Sequence, residues 1–131
     1  EVTVCGRPGM MPVDVESLGC KVEYDLTKAI EDADAVNVLR IQLERQENQI
    51  FPGNREYARA FRMDREMVER TKPGAIVMHP GPMNRDVEIS SEVADGDRQV
   101  ILEQVTNGVA VRMAVLYLLS GGARESLGED L

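Results

Sequence analysis

The sequence predicts an α/β fold: a doubly wound, three-layer domain with a parallel sheet of four or five strands. Three observations carry that expectation. Short β-rich runs alternate with helical patterns along the chain, which is the mark of βα units and parallel pairing. One strand candidate, Ala35 to Leu39, is apolar apart from Asn37, as a strand covered on both faces should be. And 131 residues, 43% of them apolar, suffice for a single core.

The elements follow in order. Val2 to Cys5 reads as the first strand, ended by the turn cluster Gly6-Arg7-Pro8-Gly9. Pro12 opens a short helix over Val13 to Leu18, which Gly19 stops. Lys21 to Tyr24 is the second strand, and a helix follows through Ala33 with Asp25 or Thr27 as its N-cap. Beyond the third strand, the polar stretch Arg40 to Glu56 is too long for a plain connector and stands as a candidate functional loop. Glu56 to Lys72 is one amphipathic helix, closed by Pro73-Gly74, and Ala75 to Met78 is the fourth strand. Prolines hold the next segment, His79-Pro80-Gly81-Pro82, away from helix. A short helix spans Ser90 to Ala94 and a long one Val100 to Leu119. From Val109 to Leu119 that helix is apolar on nearly every side apart from Arg112, so it is expected to be buried all round, partly by something outside this chain.

Composition excludes several classes. A net charge of −8 leaves no basic face for nucleic acid. The apolar runs fall well short of the ~20 residues of a membrane span, and no signal-peptide pattern opens the chain. Cys5 and Cys20 lack the neighbouring His or second Cys pair of a zinc site, so two reduced thiols in a cytoplasmic protein are expected. The chain has no initiator Met and opens in mid-strand, which suggests an excised piece of something longer.

In a doubly wound sheet, ligands bind at the carboxyl ends of the strands. Two clusters fall there: Arg40-Ile41-Gln42-Leu43-Glu44-Arg45 after the third strand, and His79 through Arg85 after the fourth. Adjacent strand ends would bring Arg40, Gln42 and the carbonyls of the proline segment into one crevice. That set suits a small dicarboxylate. An Arg fork matches a carboxylate bidentately, Gln donates and accepts, and a Pro-x-Pro segment turns carbonyls outward as acceptors for an amide NH₂. Spacing alone leaves open the alternative that Arg40 and Arg45 are solvated loop charges paired with Glu44 or Glu47. His79, the single histidine, could act as a general base, or orient the loop at its strand end by hydrogen bonds. A dinucleotide loop at Gly6–Gly9 fails for want of G-x-G-x-x-G.

Three segments resemble the aspartate carbamoyltransferase family. Leu39-Arg40-Ile41-Gln42-Leu43-Glu44-Arg45 resembles its LR-x-Q-x-ER signature. Met78 to Arg85, with Val87-Glu88-Ile89, resembles its HP-x-P loop. Gln104 to Ala114 is similar to its closing helix. The motifs stand in the family's order, and the likeness covers essentially the whole chain. It implies the aspartate-binding, C-terminal domain of an enzyme that transfers the carbamoyl group of carbamoyl phosphate to L-aspartate in pyrimidine synthesis. In that resemblance Arg40 grips the side-chain carboxylate of aspartate and Gln42 helps place it. The carbonyls around Pro80, Gly81 and Pro82 hold the carbamoyl group, Glu44 and Arg45 brace the loop, and Arg85 and Arg112 are structural. No cofactor or metal is implied.

The family's Ser-Thr-Arg-Thr phosphate loop, its lysine loop and its carbamoyl-polarising His belong to an N-terminal domain, and none occurs in this sequence. The isolated chain is therefore expected to be inert. The family also implies a homotrimer, with regulatory or dihydroorotase subunits possible. Two other readings stand beside this one: a non-catalytic binding or assembly module built on the same domain, and an ornithine-type carbamoyltransferase. Pro80, where the ornithine enzymes carry a cysteine, and the run LRIQLER both disfavour the latter.

Overall fold

The structure is a computed structural model that describes residues 1–41 and 53–120. The chain divides into two units, Glu1–Ile101 and Leu102–Leu131.

The first unit is an α/β body with parallel strand pairing. Strand β1 (Thr3–Cys5) lies parallel to β2 (Lys21–Glu23), with Val4 opposite Val22. Between them run two 3₁₀ turns, Pro8–Met10 and Val15–Leu18, and Gly19 ends the second with a φ of +81° that side chains resist. Helix α1 (Leu26–Ile30) starts at Asp25, whose carboxylate accepts the Thr27 N–H at 2.9 Å. Strand β3 (Ala35–Asn37) lies parallel to β4 (Ile76–Met78), with Val36 opposite Val77. The described strands thus form two parallel pairs.

The sequence missed one edge of the second pair. The Val77 N–H donates to the Arg98 carbonyl at 2.8 Å, and the Val100 N–H donates back to the Val77 carbonyl at 2.9 Å. A parallel bridge therefore joins Val77 to Gln99, so β4 is hydrogen-bonded on both sides. No run of β-formers announces that segment.

The helix expected over Glu56 to Lys72 is two helices, α2 (Asn54–Phe61) and α3 (Arg65–Arg70). The break is built. Met63, 1% exposed, leaves the helix to bridge Ile89: its N–H donates to the Glu88 carbonyl at 2.9 Å, and its carbonyl accepts the Ser90 N–H at 3.0 Å. Asp64 then restarts the helix by accepting the Met67 N–H. Helical periodicity tolerates such an interruption, because Met63 stays apolar and inward in either arrangement. Helix α4 (Ser91–Ala94) is capped by Ser90, which accepts the Val93 N–H.

The core gathers Ile30, Met63, Val68, Val77, Ile89 and Val93 with Ala94 and Ile101, and Leu26, Val36, Val38, Met67 and Met83 pack on it. Thr71, buried at its edge, donates to the Val68 carbonyl and takes a bond from Arg98. The thiols of Cys5 and Cys20 are free and partly buried.

Helix α5 (Ile101–Leu119) makes up the described part of the second unit from Leu102 onward. Leu102, Val111, Met113, Leu116 and Leu118 are all more than half exposed. No described helix is long and apolar enough to cross a membrane.

Candidate functional site

The parallel pairing of β3 with β4 sets two chain segments side by side at the carboxyl ends of those strands. The ladder runs out where the Val38 N–H donates to the Met78 carbonyl at 2.9 Å. Arg40, half-buried, and Ile41, 3% exposed, follow on one side; His79 and the proline segment follow on the other. The two remain joined beyond the ladder, because the Asn84 side-chain amide donates to the Ile41 carbonyl at 3.2 Å. Gln42, Glu44 and Arg45 lie outside the described residues.

The proline segment is held from below by a buried polar frame. His79 and Glu88 are both fully buried, with His79 Nε2 3.2 Å from Glu88 Oε1. The Gly81 N–H donates to His79 Nδ1 at 2.9 Å. An N–H aimed at Nδ1 requires that nitrogen to carry a lone pair. The imidazole is therefore the neutral tautomer with its proton on Nε2, and it donates to Glu88. Glu88 Oε1 also accepts the Asn84 N–H, while Oε2 is buried with no hydrogen-bond partner among the described residues. A buried carboxylate is costly unless donors meet it, so this frame is specific and not a chance contact. Gly81 takes a φ of +63°, open to glycine without steric cost, and precedes a cis peptide to Pro82. Pro80 and Pro82 are exposed above the frame.

The loop returns to the body through further ties. Arg85 grips Asp95 with two bonds of 2.7 and 2.8 Å, a bidentate fork that raises the Arg85 guanidinium from its ordinary value and lowers the Asp95 carboxyl. Asp86 accepts from both the N–H and the hydroxyl of Ser91, which lowers its carboxyl. Tyr57 on α2 feels the same frame: burial first, then the charge of Glu88, pushes its phenol up to about 12.

The site residues read from sequence are thus distributed as follows. The strand ends carrying Arg40 and Pro80-Gly81-Pro82 are adjacent, as expected. His79 takes the orienting role and has no free ring nitrogen to serve as a base. Arg85, to which the resemblance gives a structural role, pairs with Asp95. Sequence reasoning gave no role to Glu88 or Asn84. The available signal was Glu88 itself, a charge set between Val87 and Ile89 in an inward-facing run.

The family described as aspartate/ornithine carbamoyltransferase, Asp/Orn binding domain, matches residues 13–119. The aspartate carbamoyltransferase catalytic subunit of Desulforapulum autotrophicum is 55% identical over 125 residues, which are 95% of this chain and 40% of that protein. Its counterpart in Pelotomaculum thermopropionicum is 57% identical over 122 residues, 93% of this chain and 40% of that one. The chain therefore spans about two fifths of the length of these curated relatives. Among solved structures, ornithine carbamoyltransferase from Thermus thermophilus superposes with a TM-score of 0.74 at 20% identity, over 91% of this chain and 39% of that one, a likeness of fold alone. Aspartate transcarbamoylase from Trypanosoma cruzi, in complex with phosphate, superposes with a TM-score of 0.70 at 25% identity, over 88% of this chain and 40% of that one.

Proposed function

Because this chain belongs to the aspartate/ornithine carbamoyltransferase family, as its amino-acid-binding domain, we propose that it forms the aspartate-binding half of an aspartate carbamoyltransferase. The complete protein would transfer the carbamoyl group of carbamoyl phosphate to the amine of L-aspartate, giving N-carbamoyl-L-aspartate and phosphate in pyrimidine synthesis. The choice of aspartate over ornithine rests on the relatives at 55% and 57% identity and on Pro80. One observation carries the reading: β3 and β4 end side by side and Asn84 bonds the Ile41 carbonyl, so the Arg40 segment and the proline loop are neighbours at the strand ends.

In this reading Arg40 pairs with the side-chain carboxylate of aspartate, and Gln42, the second residue after it, helps place the substrate. The carbonyls of Pro80, Gly81 and Pro82 accept from the carbamoyl NH₂. The amine nitrogen attacks the carbamoyl carbon as the bond to the phosphate oxygen breaks; the bonding pair leaves with the phosphate, which takes up the proton that the amine sheds. These residues contribute by fixing both reactants in attack geometry, which can be worth ~7–11 kcal/mol of barrier. Charge stabilisation at the phosphate falls to the complementary domain, and no cofactor or metal enters. We place the protein in the cytoplasm as a homotrimer, with this domain a doubly wound three-layer unit and the exposed side chains of α5 covered by the complementary domain.

The test is Arg40→Ala in the full-length catalytic chain, followed by colorimetric assay of carbamoyl-aspartate. Loss of a charge-assisted bidentate contact should raise the KM for aspartate by about 10- to 100-fold. The KM for carbamoyl phosphate should stay within a factor of about three. An unchanged aspartate KM would remove Arg40 from the site.

A further inference from the structure

We propose that Asn84 is a positioning residue for the amino-acid substrate, a strut that holds the Arg40 segment at a fixed distance from the proline loop. The inference rests on the reading of Arg40 as the partner of aspartate's carboxylate.

Asn84 is anchored on its own side of the crevice at several points. Its N–H donates to the buried carboxylate of Glu88, its carbonyl accepts the Val87 N–H at 3.1 Å, and the next residue is clamped to Asp95. Its side chain is the part that crosses, donating 3.2 Å to the carbonyl of Ile41, the residue directly after Arg40. The ladder between the two strands has already ended at Val38 and Met78. From there on, an amide on the proline loop reaches the chain that carries the guanidinium.

The two ends of this strut are unequal. The proline loop keeps its frame of His79, Glu88 and Gly81 whatever the Asn84 side chain does. The Ile41 end depends on the bond for its register against the loop. Removing the donor should therefore displace the Arg40 side of the crevice and leave the carbamoyl side in place. Burial would keep Ile41 inward without fixing its carbonyl, so the hydrogen bond adds direction there.

The experiment is a double-mutant cycle in the full-length catalytic chain. Asn84→Asp keeps the size and removes the donor, whereas Asn84→Ala removes it without adding charge. Each is made alone and with Arg40→Ala, with thermal melting of every variant and both substrates varied in turn. We expect either Asn84 change to raise the aspartate KM by about fivefold or more in the parent. In the Arg40→Ala background the same change should cost less than about twofold, since the contact it serves is gone. Carbamoyl phosphate KM should not move. Equal factors in both backgrounds, an unmoved aspartate KM, or a shift in the carbamoyl phosphate KM instead would each overturn the proposal. If one variant fails to melt cooperatively, the other decides. A null result for Arg40→Ala itself would sink the underlying reading and this inference with it, whereas a large Arg40 effect beside a silent Asn84 would sink the strut alone.

Discussion

At the scale of single residues, environment decides roles that residue type leaves open. His79 could have been a base; the Gly81 N–H on one ring nitrogen and Glu88 beside the other make it a fastener. Cys5 could have been a reactive thiol, yet partial burial, aided by the nearby charges of Glu23 and Asp25, pushes it from its ordinary value of 9.0 up to about 11. Iodoacetamide should modify Cys5 slowly at pH 8, with a rate that keeps climbing to about pH 11 where a free thiol would level off near 9; a plateau at 9 would contradict this burial. The sign for stability follows from the same displacement. A folded-state value above the unfolded one favours the folded state fully below about pH 9, and that contribution fades as pH rises through about 11. Asn84 was present in the sequence but mute there, since its side chain's partner, Ile41, lies 43 positions away and leaves no local pattern.

Among the elements, the short strands and the Asp25 cap followed the sequence closely. Asp25 caps α1 and Ser90 caps α4 because a side-chain oxygen next to an apolar run can satisfy an end N–H with no help from elsewhere. The split between α2 and α3 was not readable, since the bridge from Met63 to Ile89 is a contact across 26 positions that competes with helix continuation. That competition predicts a large local cost. Met63→Ala should destabilise the chain by about 2–5 kcal/mol in denaturant unfolding, from lost burial and a cavity at the core. Met113→Ala, at an exposed position on α5, should stay within about 0.5 kcal/mol in the same chain. Similar losses for both would mean that Met63 is not the keystone of that break.

For the whole molecule, the decisive fact is proportion: the chain spans about two fifths of its curated relatives. In the proposed reading this chain holds the amino acid and the carbamoyl amide, and the phosphate leaving group falls to the complementary domain. We expect the 131-residue chain alone to produce no carbamoyl-aspartate, and activity to appear when a separately expressed N-terminal half is added. Turnover by the pure chain would refute the division of labour. Activity in neither case, with both halves folded and bound to each other, would favour a non-catalytic module built on this domain.

The sequence by itself determined the α/β class, the parallel pairing, the two strand-end clusters and the family. Each of these is written in local periodicity, in turn residues or in short motifs whose order along the chain is fixed. Only the tertiary structure decided that Met63 breaks a helix, that the Gln99 segment flanks β4, and that Glu88, His79 and Asn84 form the frame beneath and beside the proline loop. The reason is physical. The helix break, the edge beside β4 and the Asn84–Ile41 bond join residues 21 to 43 positions apart, and even the nearer His79–Glu88 pair, 9 apart, follows no helix or strand period; such partners are chosen by packing, not by neighbours in sequence.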